Sequence, residues 1–492
     1  MKFTLNQKQI DLSPLRLAYI VIIVFFVVYT GRDLNYNSAF VDEAIYATIG
    51  EEVLRGQYWE RAIAWMGGSY LYPLMSAYVN RLYGLTGIRL MSMVLVLIAG
   101  ITSGKIAGLL GGFKAEVLTI LLFFSASISL DLAQLGTYDT PALSFLALST
   151  YAAIHSRYHH GARSWALVAL STIFLTLAVF AKYFAAVFAP VVFLIIFFGP
   201  KSLKFKKSIL WSLFFIITFG IFALNNTDDL VSLYITSPFT EIKPRAYVFG
   251  KIWGDLTLHL PFAIAGAFYA LHTLKKEKLR LAIALFLAGA IPIAFHLGTG
   301  NARSLWKHMV ITLMYWAPLT SYMLLLLGKN VNAKAFKRPV FINSLQLVRT
   351  VIVVILVTNI WVNFSKHWRF QRSWPSATRI IEYLERNRNT GDKIFAEAAT
   401  VYKYHLYDGF EDPFAWPSTW YLNYNDQEGI PAMQEAISNK EFRYIILNDF
   451  FTQETNREIL PTIEEHYDLV MADTFKVSGV FDQTTRVWEA KP

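Results

Sequence analysis

The 492-residue chain is 55% apolar and only 16% charged, with a mean hydropathy of +0.39, which excludes an ordinary soluble globule and indicates a polytopic membrane protein. Its formal charge of +10 comes from Lys and Arg gathered in short loops between apolar segments, a pattern of membrane topology and not of nucleic-acid binding. The absence of cysteine removes disulfides, cysteine-ligated zinc and thiol nucleophiles.

The first apolar stretch, 15–30, has no small-residue cleavage site after it and reads as a retained anchor. Requiring about 20 mostly apolar residues per span, the sequence predicts about eleven transmembrane helices, near 13–31, 88–110, 115–132, 140–156, 164–181, 183–199, 208–224, 258–274, 281–297, 307–327 and 348–364. With alternating spans, four basic groups fall on one side: Arg157 and Arg163; Lys201, Lys204, Lys206 and Lys207; Lys275, Lys276, Lys278 and Arg280; Lys329, Lys334, Lys337 and Arg338. The positive-inside rule makes that side and the N-terminus cytoplasmic. The stretch 32–87, the turn 130–139, and the loops 225–257 and 298–306 then share the outer face with everything after Trp361.

From His367 onward the composition is that of a soluble domain. Periodicity predicts a helix over 378–387, strands over 393–397 and 444–448, a helix over 453–466, and strands over 468–475 and 480–490. The expected fold is a polytopic all-α membrane domain over 1–364 with a small extracytoplasmic α/β domain over 365–492.

Between the first and second spans lies an interfacial segment, 41–59. Ile45, Ile49 and Val53 recur there at helical spacing, and Asp42 and Glu43 stand at the helix start, where the helix dipole favours carboxylates. Asp42 is either a functional acid or the cap of an amphipathic helix. Asp42, Glu43, Tyr46, Ile49, Glu52, Leu54, Gly56 and Trp59 together resemble the first outer loop of GT-C membrane glycosyltransferases related to the protein O-mannosyltransferases and the lipid A aminoarabinose transferase. The resemblance implies a GT-C-like fold and an inverting glycosyltransferase, located in the bacterial inner membrane, that takes a hexose or pentose from a polyprenyl-phosphate carrier. The acceptor would be a hydroxyl of a lipid, glycan or protein on the outer side. It also implies Asp42 as the base, with Glu43 beside it in a role that could be exchanged, and a second acid at Asp139.

Asp139, in Tyr138-Asp139-Thr140-Pro141, also reads as an N-cap followed by proline, and Asp131 in the same turn is an alternative to it. Lys182 resembles a lysine of the aminoarabinose transferases; it either snorkels to the interface or binds the donor phosphate. Arg303, Lys307 and His308 form a cationic group on the side where few cations are expected, which makes them phosphate-binding candidates. Lys243, Arg245 and Lys251 are weaker ones, Arg245 being the donor or acceptor contact among them. Where those relatives have a lysine-proline pair, this chain has Tyr70 and Tyr72 before Pro73, which either contact a sugar or are belt aromatics; Tyr46, Tyr70, Tyr72 and Tyr138 are the candidate donor or acceptor contacts. No WWDYG-like tract is present, which argues against an oligosaccharyltransferase. A metal is not expected, although Asp42 and Asp139 are oxygen donors of the kind a divalent ion accepts. The rival readings are a transporter of a lipid-linked sugar, which predicts repeats and midplane charges, and an inactive envelope scaffold.

Overall fold

The computed structural model describes residues 2–5, 8–11, 13–56, 69–198, 204–235, 242–330, 342–407 and 415–492. Trp59 of the interfacial motif, and Lys201, Lys334, Lys337 and Arg338 of the basic loops, lie outside the described residues. The chain divides into two compact units. One comprises Met1–Leu34, Gly56–Met75 and Gly87–His367, the other Asn35–Arg55, Ser76–Thr86 and Trp368–Pro492. The second unit thus takes in parts of 32–87 that the sequence reading assigned to the membrane domain.

In the first unit every predicted span is helical, because in hydrocarbon only an internally bonded backbone satisfies its own N–H and C=O groups. Among the described residues, seven helices are long and apolar enough to cross a bilayer: Pro14–Gly31, Leu71–Gly111, Gly161–Ala181, Phe205–Asn225, Lys276–Thr299, Leu305–Gly328 and Arg349–Phe370. The pair Phe113–Phe124 and Ser127–Ala133 bends by 68° at its break and adds an eighth if taken as one span. The remaining predicted spans are shorter or more polar helices: Asp139–Ser156, Ala189–Phe197 and His259–Thr273. The chain is an integral membrane protein. Val21, Val28, Ile216, Val353 and Val357 are exposed on these helices, as side chains that face lipid would be.

Small residues bring helices together. A Cβ on Gly104 would lie 2.6 Å from Ile120, and one on Gly266 would lie 2.6 Å from the carbonyl of Leu319. The helix Leu71–Gly111 starts well before the predicted 88, and is interrupted at Gly84, whose φ of 60° suits glycine.

The second unit holds the interfacial helix Val41–Leu54 and a four-stranded sheet. Its strands are β1 (Ile394–Ala396), β2 (Tyr444–Leu447), β3 (Tyr467–Val477) and β4 (Phe481–Ala490), in the order β1-β2-β4-β3. Only the β1–β2 pair is parallel. Phe395, Ile445 and Trp488 pack with Met433, Ile437, Ile459 and Ile463 of the helices Gly429–Ser438 and Gln453–His466. The interfacial helix is joined to this unit by Lys403, whose Nζ donates to Glu52 Oε1 at 2.5 Å with both side chains buried.

Directly after β1, the buried Glu397 carboxylate accepts the backbone N–H groups of Asn448 (2.9 Å), Asp449 (2.7 Å), Thr452 (2.8 Å) and Phe451, as well as Asn456 Nδ2 (2.8 Å). It therefore shapes the turn that follows β2. Glu397→Gln would aim an amide donor at backbone donors, and is expected to lower stability by about 1–3 kcal/mol. Hydrogen exchange should show protection lost first at 448–452; unchanged protection there would refute the assignment.

Candidate active site

At the end of helix Gly161–Ala181 the backbone leaves the helical conformation at Lys182 (φ −155°, ψ 116°) and then enters a 3-10 turn, Tyr183–Phe188. The Lys182 N–H still bonds to Ala178 O at 2.9 Å, while its carbonyl accepts from Ala185 N at 2.8 Å. This break turns the side chain inward. Lys182 is 3% exposed, so it does not snorkel.

Its Nζ donates to Asp139 Oδ1 at 2.5 Å. Asp139 is not the N-cap of its helix, as one sequence reading had it: Tyr138 holds that position and Asp139 opens the first turn. Its other oxygen accepts Thr137 Oγ1 at 2.9 Å, so both carboxylate oxygens are engaged and the buried pair is oriented. Tyr138 forms a platform for cations: Lys182 Nζ lies 4.6 Å and Lys307 Nζ 6.0 Å from its ring centroid.

Behind these ammonium groups stands a histidine pair. The ring of His308 stacks on Phe184, from the turn after Lys182, at 4.1 Å and 7°. His308 Nδ1 lies 2.8 Å from His296 Nε2, and His296 Nδ1 lies 2.5 Å from Asn301 O. A carbonyl only accepts, so His296 Nδ1 carries the proton and its neutral Nε2 accepts from His308 Nδ1–H. Nε2 of a neutral His308 is then an unprotonated lone pair; it is buried and has no partner among the described residues.

Two loops join this arrangement through Asn301. Ile242 forms an antiparallel bridge with Asn301, and Lys243 N donates to Gly300 O at 2.8 Å. The segment bearing Lys243 and exposed Arg245 is thereby tied to the turn bearing half-buried Arg303. Lys251 is exposed and lies 5.6 Å from the Tyr247 ring. Tyr70 flanks the Lys182 turn: its N–H bonds to Phe180 O at 2.9 Å, and its ring meets Phe180 and Phe222. Tyr72 is fully buried, with its N–H on Ser69 Oγ.

Asp131, the alternative to Asp139, is instead engaged with His367 Nδ1 at 2.7 Å. Asp42, Glu43 and Tyr46 belong to the second unit. There Glu43 Oε2 accepts Phe40 N–H at 2.9 Å and closes the start of helix Val41–Leu54, Tyr46 is buried, and Asp42 is half-buried. Among the described residues, no group of three or more His, Asp or Glu side chains could hold a metal ion.

No family model matches the sequence, and no curated protein matches it. Solved structures do. ArnT from Cupriavidus metallidurans in the apo state aligns with a TM-score of 0.65 at 12% identity, covering 97% of this chain and 99% of that one. The same protein bound to undecaprenyl phosphate gives 0.61 at 12%, covering 95% and 97%. The chain has the GT-C fold. The archaeal oligosaccharyltransferase AglB from Archaeoglobus fulgidus, in complex with an inhibitory peptide and a dolichol-phosphate, aligns at 0.51 and 11%, covering 92% of this chain and 73% of that one.

Identity this low carries the GT-C fold and no residue roles. Within the GT-C fold, Tyr138, Asp139, Lys182, Lys307 and His308 come together as a group. Thr137, Phe184, His296 and Asn301 were not singled out from sequence. Phe184 is one phenylalanine among 38, and His296 sits on an apolar helix with no local motif to mark it.

Proposed function

We propose that the protein is an inverting membrane glycosyltransferase that moves a sugar from a polyprenyl-phosphate carrier to an acceptor hydroxyl on the outer side of the membrane. The observation that carries this reading is the buried Lys182–Asp139 pair, with Lys182 and Lys307 both near the Tyr138 ring, in a chain whose fold is that of a protein solved with undecaprenyl phosphate bound. Isolated charges at the membrane are costly, and clustered ones there mark function. Lys182 and Lys307 are suited to hold a phosphate and to stabilise the charge that grows on it as the glycosidic bond breaks. Asp139 keeps Lys182 oriented.

In the reaction, the Asp42 carboxylate takes the proton of the acceptor hydroxyl, and the oxygen attacks the anomeric carbon. The bond from that carbon to the phosphate oxygen breaks, and polyprenyl phosphate leaves with the bonding pair. A single displacement inverts the anomeric configuration. Arg245 and Arg303, on tied loops, are assigned to the approach of the anionic carrier, and half-buried Tyr70 to sugar or acceptor contact, whereas Tyr72 is enclosed and is not assigned to it. We assign the basic loops to the cytoplasm, residues 365–492 to the outside, and the chain to a bacterial inner membrane. The sugar is a hexose or pentose, and the acceptor a lipid, glycan or protein.

The test is transfer in proteoliposomes supplied with a mixture of radiolabelled polyprenyl-phosphate sugars. Label appearing in an acceptor, with release of polyprenyl phosphate, supports the reading. Movement of intact lipid between leaflets without cleavage would replace it with a transporter.

A further inference from the structure

A second group of ionisable side chains, which the reaction above does not use, lies in the first unit. The end of helix Arg245–Leu256, the start of His259–Thr273 and the helix Ile342–Phe370 line a groove of about 370 Å³, within the roughly 300–1,000 Å³ of small-molecule sites. Gly254, Asp255 and Lys366 mark a polar end, since Lys366 Nζ reaches Gly254 O, and Phe262, Val354 and Ile355 an apolar one, with Leu258 and His259 between them. Along helix Ile342–Phe370, Val354 and Lys366 are separated by about 18 Å at ~1.5 Å per residue, close to one leaflet of a hydrocarbon core about 30 Å thick. The groove therefore has the length and the polarity gradient of a lipid standing in a single leaflet.

The polar end offers both signs of charge. Lys366 Nζ donates to Gly254 O at 2.5 Å, which fixes the ammonium at the groove mouth. His259 is 3% exposed; its Nδ1 lies 3.3 Å from Thr320 Oγ1, and its Nε2 has no partner among the described residues. With Nδ1 accepting the Thr320 hydroxyl, Nε2 carries the proton, a buried donor without a partner among the described residues on a side chain that lines the groove. Burial pushes the half-buried Asp255 carboxyl up to about 6, which leaves it ionised at neutral pH.

We propose that this groove binds one zwitterionic aminophospholipid, with its primary ammonium on Asp255, its phosphate under Lys366 and His259 Nε2, and an acyl chain along Leu258, Phe262, Val354 and Ile355. Asp255 decides the headgroup. A purely anionic headgroup meets a like charge there, and a quaternary choline has no N–H to donate to the carboxylate, whereas a primary ammonium pairs and donates. The proposal is independent of sugar transfer and stands or falls without it.

The experiment is native mass spectrometry of the purified full chain titrated with phosphatidylethanolamine, phosphatidylcholine and phosphatidylglycerol of identical acyl chains. The wild type is expected to bind one phosphatidylethanolamine about tenfold more tightly than either competitor. Asp255→Asn should bring phosphatidylethanolamine to the level of phosphatidylcholine, leaving the latter unchanged. Lys366→Met should weaken both by a common factor, because both carry the phosphate. Ile355→Trp, at a position 37% exposed where a larger side chain can be accommodated, should block binding with an unchanged melting temperature. Equal affinity for the three lipids, preference for phosphatidylglycerol, or selectivity that survives Asp255→Asn would each overturn the proposal.

Discussion

Lys182→Met is expected to abolish sugar transfer and to destabilise the protein by about 3–5 kcal/mol, because it leaves the Asp139 carboxylate buried without its cation. The two effects can be separated. In the double variant Lys182→Met/Asp139→Asn, neither side chain is charged and Thr137 can still bond the residue at 139. The double variant is expected to recover most of the lost stability but none of the transfer, since no ammonium remains over Tyr138 at the position of Lys182. Thermal unfolding in detergent reads the first quantity, and transfer in proteoliposomes the second. Recovery of both would make the pair a structural element alone and remove Lys182 from the donor site. Recovery of neither would mean that the packing around Tyr138 depends on the charges themselves.

The side chain of Lys182 shows where sequence reasoning stopped. A lysine at a helix end beside apolar residues either snorkels or turns inward, and the choice depends on a partner 43 residues away in sequence. Only the backbone break after Ala181 and the first turn at Asp139 bring the two together. The helical segments themselves were legible, because a bilayer leaves an apolar run of that length no other way to satisfy its backbone. In the C-terminal region the strands expected over 444–448 and 480–490 form as Tyr444–Leu447 and Phe481–Ala490, the first from a short apolar run. The helices Ala399–Leu406 and Gly429–Ser438 were not predicted. Nor was the early part of Leu71–Gly111, which falls in the stretch 32–87 between the first two predicted spans, although Arg81 reaches Glu51 at 2.8 Å and the chain stays helical around the single glycine break. The histidine pair was invisible for a similar reason: it closes through Asn301 O, a backbone atom that carries no mark in the sequence.

The second large effect concerns the base. Asp42 and Glu43 were interchangeable in sequence, and their surroundings differ in the structure. Glu43 is 1% exposed and its carboxylate is committed to the Phe40 N–H at the start of the helix, whereas Asp42 is half-buried. A carboxylate engaged by a backbone donor and fully enclosed is poorly placed to take a proton from an incoming hydroxyl. Asp42→Asn keeps the size and the first-turn position but cannot accept that proton, so it is expected to lower kcat by about 10²–10⁴-fold, the usual contribution of a positioned base, with KM for the donor nearly unchanged. Glu43→Gln should do the reverse: about 1 kcal/mol of stability lost from the helix start, with the rate per folded molecule close to wild type. Steady-state transfer measured beside thermal unfolding distinguishes the two. If Asp42→Asn transfers sugar within a few-fold of wild type while Glu43→Gln does not, the base is Glu43, and its bond to Phe40 must open during turnover. If neither variant slows transfer, the acceptor is activated by a group outside this helix and the assignment to its first turn is wrong.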